Sequence, residues 1–159
     1  MHSTNGNRLI QKLKPYKDDV DVLQINAGND MWDTSEPILI NTVSQHKPKI
    51  LVVSESNFPV NDPEAITSRR ISFPKYKFVD KVLPGNDVAR LTILIDEEID
   101  FERCSSLENE INSTAVIKIR RSHKKYEYFI GNYRQWQGTS SLCSYSSRRN
   151  EDSKRDLKI

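Results

Sequence analysis

Three polar residues in this 159-residue chain stand at the ends of apolar runs: Asn26 after Val22-Leu23-Gln24-Ile25, Glu55 after Ile50-Leu51-Val52-Val53-Ser54, and Tyr133 after Tyr128-Phe129-Ile130-Gly131-Asn132. In α/β sheets, ligands gather beyond the carboxyl ends of the strands. A carboxylate near a core is costly to hold unless something positive meets it. A divalent cation would do so, and Mg²⁺ in phosphate chemistry is commonly held by only one or two carboxylates. An amide such as Asn26 and a phenol such as Tyr133 can hydrogen-bond phosphate oxygens or orient metal ligands. The same residues admit a structural reading, in which Glu55 pairs with an Arg or Lys, Asn26 caps a turn and Tyr133 packs. Spacing alone leaves both readings open, because perturbed acids also occur in structural ion pairs.

The elements that must position them follow from pattern. Residues 20–26 read as a strand, and Ala27-Gly28-Asn29-Asp30 is turn chemistry. Thr34 or Ser35 is suited to cap a helix carrying Leu39 and Val43 at helical spacing, and Pro48 ends it at Lys47. Four consecutive aliphatics, Ile50–Val53, require a strand buried on both faces. Strand–helix–strand in this order implies a parallel pair with a right-handed crossover. A loop with Pro59, Asn61, Asp62 and Pro63 comes next. Four further strand-like segments follow at 76–83, 89–95, 114–120 and 126–133. Pro84-Gly85-Asn86-Asp87 turns the chain between the first two, and Ser122–Lys125 joins the last two as an antiparallel pair.

Composition supports the same class. Val plus Ile number 25 against 15 for Leu plus Ala, which favours strands over a helical bundle. The net charge of +2 argues neither for nor against nucleic acid. No apolar run approaches the roughly 18 residues of a membrane span, and the first residues lack the basic-then-apolar layout of a secretory signal. Cys104 and Cys143 are too few and too distant for a zinc site or a disulfide framework. These features point to an intracellular protein, nuclear or cytoplasmic, with no membrane partner and no small-molecule cofactor. The expected organisation is a flexible arm at 1–19, a domain at 20–137 and a disordered polar tail at 138–159. The charged groups Ser68-Arg69-Arg70 and Arg120, Arg121, His123, Lys124, Lys125 are read as solvated surface, with phosphate contact to DNA as the competing reading.

Four segments carry a resemblance: Val22–Asn26; Lys47-Pro-Lys-Ile-Leu-Val-Val-Ser-Glu-Ser56; Phe73-Pro-Lys-Tyr76; and Ile130-Gly-Asn-Tyr-Arg-Gln-Trp-Gln137. In that order they resemble the endonuclease/exonuclease/phosphatase superfamily. More narrowly, they are similar to the apurinic-type endonuclease domain that precedes reverse transcriptase in non-LTR retrotransposons. The resemblance implies an α/β fold, a mostly mixed-sheet sandwich with one or two helices. It implies Glu55 as metal ligand, with Asn26 supporting the metal site and Tyr133 contacting the scissile phosphate as the catalytic pair. Mg²⁺, or Mn²⁺ in its place, would be the cofactor and DNA the partner.

The family's later motifs, Gly-Asp-x-Asn and Ser-Asp-His, are not in this chain. They would supply the water-activating Asp and the His that meets the phosphoryl charge. The expectation is therefore an incomplete sandwich: a truncated relative of a Mg²⁺-dependent DNA endonuclease, inactive as this chain. The alternative is a non-catalytic fragment that binds nucleic acid or a protein partner through strand edges. Half a sandwich is also expected to leave an apolar face and strand edges uncovered.

Overall fold

The computed structural model describes residues 13–108, 114–135 and 141–150, with backbone alone for 132–135 and 141–150. Eight strands and two helices follow in the order β1 (Val22–Asn26), α1 (Trp32–His46), β2 (Ile50–Pro59), α2 (Pro63–Ser72), β3 (Tyr76–Lys81), β4 (Val88–Asp96), β5 (Phe101–Arg103), β6 (Ala115–Arg120), β7 (Tyr126–Gln135) and β8 (Ser141–Asn150). They form two four-stranded sheets, ordered β1-β2-β4-β3 and β5-β6-β7-β8. β1 and β2 are parallel and the other pairs antiparallel. The α/β sandwich expected from the sequence is what forms.

β2 explains the layering. Ile50 and Val52 join Leu91, Ile93 and Ile95 of β4 in a core shared with Ala115, Ile117, Ile119 and Phe129 of the second sheet. The alternate residues Leu51 and Val53 face Trp32, Leu39, Phe58, Phe73 and Leu94 on the helical side. The period-2 alternation of a strand thus feeds two cores at once, and all four aliphatics are at most 2% exposed. Gly131 of β7 packs directly against the first sheet. A Cβ there would lie 3.2 Å from Ile93 Cδ1 and 3.3 Å from Val52 Cγ1. The hairpin after Leu83 is a turn with the Asn86 N–H donating to Leu83 O at 3.1 Å; Gly85 takes φ +80°, as the third position of a Pro-Gly turn requires.

Several expectations shift. α1 starts at Trp32 rather than after Thr34 or Ser35, because Trp32 packs edge-on against Phe58, 5.0 Å between ring centroids, and its indole N–H binds Glu36. The segment 63–72, which the sequence pattern places in a loop only at Pro63 and otherwise leaves unassigned, is a helix. Asp62 caps it by accepting from Glu64 N, and Pro63 occupies the first helical turn. The expected flexible arm is pinned over its described part. Leu13 and Tyr16 are buried, and Tyr16 N–H donates to Arg120 O at 2.8 Å. Residues 1–12 lie outside the described residues. In the expected disordered tail, 141–150 is a strand whose backbone pairs with β7 from Ser141↔Gln135 to Asn150↔Tyr126. Main-chain pairing needs an open strand edge, not apolar side chains, so the polar composition of this segment concealed it. Residues 136–140 and 151–159 lie outside the described residues.

Candidate functional site

β1 and β2 run in parallel and in register, Asn26 opposite Ser54, so Asn26 and Glu55 reach the same sheet rim on adjacent strands. Beyond Ser54 the ladder breaks. Ser54 pairs with Leu91 and the next pair is Phe58 with Ala89. Four steps on β2 therefore oppose two on β4, and two residues are extra. This is a bulge that bends the strand and re-aims its side chains. Within it Glu55 has φ +54° and Asn57 φ +50°. Neither is glycine, and each such conformation costs of order 1–3 kcal/mol unless the surroundings over-determine it.

The surroundings do so on both sides. The Asn57 amide donates to Asn29 O at 3.0 Å, Asn29 Oδ1 at 3.1 Å and Asp30 O at 3.1 Å, tying the bulge to the loop after β1. Ser56, between the two left-handed residues, points inward and is fully buried. Its hydroxyl lies 3.1 Å from Ala89 O and 2.9 Å from the Thr92 hydroxyl. Thr92 donates to Asp80 Oδ1 at 2.8 Å, and Asp80 receives both ends of the Arg69 guanidinium at 2.9 Å each. Arg69 is sandwiched by aromatic rings, 3.5 Å from the Phe58 centroid and 4.1 Å from that of Phe78. Glu55 itself is 7% exposed.

Asn26 does what the structural reading asked of it. Its Oδ1 accepts the Gly28 N–H at 2.7 Å, closing the turn after β1. Asn26 and Glu55 both have further polar contacts with their surroundings. Tyr133 lies two positions beyond Gly131 in β7, paired in backbone register with Cys143. Its strand therefore runs past the centre of sheet one toward the same end of the sandwich, but its side chain is outside the described residues. Structure thus brings Asn26 and Glu55 to one rim and sends the Tyr133 backbone in that direction.

The donor set fits a hard cation. A carboxylate and an amide are oxygen ligands, and Mg²⁺ keeps several waters and takes only one or two carboxylates from the protein. Among the described residues no group of three His, Cys, Asp or Glu gathers as a softer or fully caged metal would want. A cleft of about 510 Å³ opens beside the bulge, lined by Met31, Asp33, Asn57 and Asp62 among others. Its two acids disfavour an anion in that cleft.

Both basic clusters prove to have structural duties. Arg69, expected on the surface, is 6% exposed and locked in the pair with Asp80. Arg120 donates to Leu13 O and Ser122 O, and Arg121 donates to Asp18 O and lies 3.7 Å from Glu127. The hairpin that carries them begins β7 at Tyr126, seven residues before Tyr133, or about 23 Å at the usual strand rise. It sits at the end of the sandwich opposite the rim. Ser56, Asn57, Asp80 and Thr92 were not singled out by sequence. Only Asn57 carries a signal, since Asn tolerates left-handed backbone better than most residues.

No known family profile matches the chain, and no curated protein matches its sequence. Solved structures do. The endonuclease domain of TRAS1, a telomere-specific non-LTR retrotransposon, superposes with a TM-score of 0.52 at 18% identity, over 73% of this chain and 46% of that one. Humanized D. rerio TDP2 carrying 14 mutations (TM-score 0.40, 11% identity, 85% of this chain and 52% of that) and ANGEL2, a 2',3'-cyclic phosphatase (0.40, 10%, 80% and 40%), are more distant. The first of these matches shows that the fold is of endonuclease/exonuclease/phosphatase type. The chain spans about half the length of each structure. Among the described residues no helix is long and apolar enough to cross a membrane.

Proposed function

We propose that this chain is the cation-holding half of a DNA phosphodiesterase domain of retroelement origin, with Glu55 as the ligand for Mg²⁺ or Mn²⁺. The observation that supports it is the strained bulge. A non-glycine residue in left-handed backbone, followed by two residues anchored through their side chains, carries a carboxylate just past the β1–β2 ladder, where the parallel strand β1 also ends. The TRAS1 domain, an endonuclease with this fold, supports the reaction class.

Within that reading, Glu55 contributes the formal negative charge and Asn26 holds the end of β1 in place through its bond to Gly28. Tyr133 is assigned to the phosphate, as a donor to a non-bridging oxygen. A bound divalent cation supplies charge neutralisation on the phosphoryl oxygens and steadies the leaving oxygen. No described residue takes the part of the water-activating base, and loss of a general base alone typically costs 10²–10⁴-fold. Hydrolysis by this chain alone is therefore expected to be negligible, while cation binding persists.

The test separates the two steps. Mn²⁺ titration of the purified chain should show saturable binding that Glu55→Gln weakens at least tenfold, with plasmid nicking below detection in either metal. Equal Mn²⁺ affinity in wild type and Glu55→Gln would remove the basis for the cation site. Mg²⁺-dependent nicking abolished by Glu55→Ala would instead make this chain a working enzyme.

A further inference from the structure

The hydrogen-bond chain behind the bulge is longer than a fold needs. It runs from a buried guanidinium, Arg69, through Asp80 and the Thr92 hydroxyl to the Ser56 hydroxyl, across α2, β3, β4 and β2. We infer that this chain is a positioning device: it fixes Ser56 inward and thereby holds Glu55 in the geometry that presents its carboxylate at the rim. The inference rests on the reading of Glu55 as the cation-holding residue.

Hydrogen accounting gives the chain a direction. Asp80 accepts one guanidinium bond from Arg69 on each of its two oxygens. An ionised carboxylate only accepts, so the 2.8 Å contact assigns the Thr92 proton to Asp80. Thr92 Oγ1 is then left as the acceptor in its 2.9 Å contact with Ser56. Ser56 has one proton to share between Thr92 Oγ1 and Ala89 O, and both lie on β4, on the inner side of the bulge. Its side chain therefore has one good orientation. Ser56 is turned in between two residues in left-handed backbone, Glu55 and Asn57, so its anchoring constrains the backbone on either side of it. Asn57 is held by the loop after β1, so Glu55 is set by the two anchored residues that follow it. Thr92 and Ser56 are both fully buried. Neither can reach a substrate, so any effect on the site passes through Glu55.

Thr92→Val removes one hydroxyl without changing the shape of the side chain, and Thr92→Ser restores it. The full chain is titrated with Mn²⁺, and thermal unfolding is recorded in parallel. Thr92→Val and Ser56→Ala should raise the Mn²⁺ Kd about 10–100-fold, the usual effect of losing a partner behind a metal ligand. Thr92→Ser should return it to within a few-fold of wild type. Leu39→Ala, a truncation in the helical core that removes none of these hydrogen bonds, should lower the melting temperature and leave the Kd unchanged. Wild-type affinity in Thr92→Val, or an equal loss in Leu39→Ala, overturns the inference. A separate readout covers the case in which Glu55→Gln shows that wild type holds no cation at Glu55, which would defeat the proposed function instead. Backbone chemical shifts of residues 55 and 57 report left-handed geometry directly. They should move toward extended values in Thr92→Val and Ser56→Ala, and unchanged shifts in both variants overturn the positioning role.

Discussion

Glu108→Gln should open the seam between the two sheets, and its cost should depend on pH. The Glu108 side chain is 3% exposed. It accepts Arg103 Nε at 2.8 Å and Nη2 at 2.9 Å, lies 3.4 Å from Lys81 Nζ and accepts the Val116 N–H at 3.2 Å. Lys81 ends β3 in the first sheet, while Arg103 and Val116 belong to β5 and β6 in the second, so one carboxylate joins both. Burial pushes the Glu108 pKa up. The Arg103 hydrogen bonds, the Val116 N–H and the charges of Arg103 and Lys81 outweigh burial and leave it below its ordinary 4.5. Neutralising it strands Lys81, whose side chain is only 10% exposed. Breaking a buried pair costs about 3–5 kcal/mol. Arg103 is 35% exposed and can recover water, and Gln keeps the volume and some bonds, so about 2–3 kcal/mol is expected here.

The pH dependence has a definite sign. A carboxylate whose folded pKa lies below its unfolded value stabilises the fold above the unfolded value. That stability is lost as pH falls through the folded pKa. Urea unfolding of wild type and Glu108→Gln should therefore differ most above pH 4.5 and converge below the lowered pKa. A difference under about 1 kcal/mol at pH 7, or one that stays constant down to the acid limit, would refute the assignment of Glu108 as the charged hinge of the seam.

Gly131→Val should destabilise by about 1–3 kcal/mol through overpacking, because even a Cβ there meets Ile93 and Val52 at 3.2 and 3.3 Å; chemical denaturation measures it. Asp62→Ala should cost about 1 kcal/mol by removing the cap on Glu64 N, read in the same assay. Arg69→Lys keeps the charge but loses the paired bonds to Asp80 and the flat stacking between Phe58 and Phe78, so the melting temperature should fall clearly despite the conservative label. Lys77 is half-buried with its ammonium on the Ile99 carbonyl, and desolvation lowers its pKa against the pull of Asp100, Asp96 and Glu97. A lowered lysine pKa is a penalty at neutral pH that vanishes as pH rises toward 10.5, so wild type should gain on Lys77→Met over that range in a pH series of unfolding curves.

The parts of the fold that sequence revealed are those where side-chain type and backbone state agree. Four aliphatics in a row can only be a strand covered on both faces, and Ile50–Val53 is one. Pro84-Gly85 turns the chain because its backbone preferences allow little else, and Ser122–Lys125 does so as a short polar link between two strand-like runs. Helix α2 was missed although its start is well marked by Asp62, Pro63 and Glu64. Its apolar residues Ala65, Ile66 and Ile71 are too sparse to show a helical stripe, and Ile71 is 74% exposed. The bulge could not be read at all. Nothing in Ser54-Glu55-Ser56-Asn57 requires left-handed backbone at a glutamate. That state is imposed by partners 27 to 36 residues away. Arg69 was misplaced for the same reason, since its partners Asp80, Phe58 and Phe78 meet it only after folding.

Holding a cation and cleaving a phosphodiester make different demands on this chain, and the architecture separates them. The first sheet is covered on one side by the helices and on the other by the second sheet, so the rim that carries Asn26 and Glu55 stands on two closed cores. Half a sandwich was expected to leave an apolar face uncovered, yet in the second sheet Val116, Tyr128 and Ile130 form a cluster at most 5% exposed, with Lys118 reaching over the Tyr126 and Tyr128 rings. The hydrogen bonds that hold Ser56 and Asn57 in the Glu55 bulge come from β4 of the first sheet and from the loop after β1, with Arg69 of α2 behind them. Under the proposed function, metal affinity is the property that tests what the first sheet and its bulge provide, and nicking would need a water-activating base in addition.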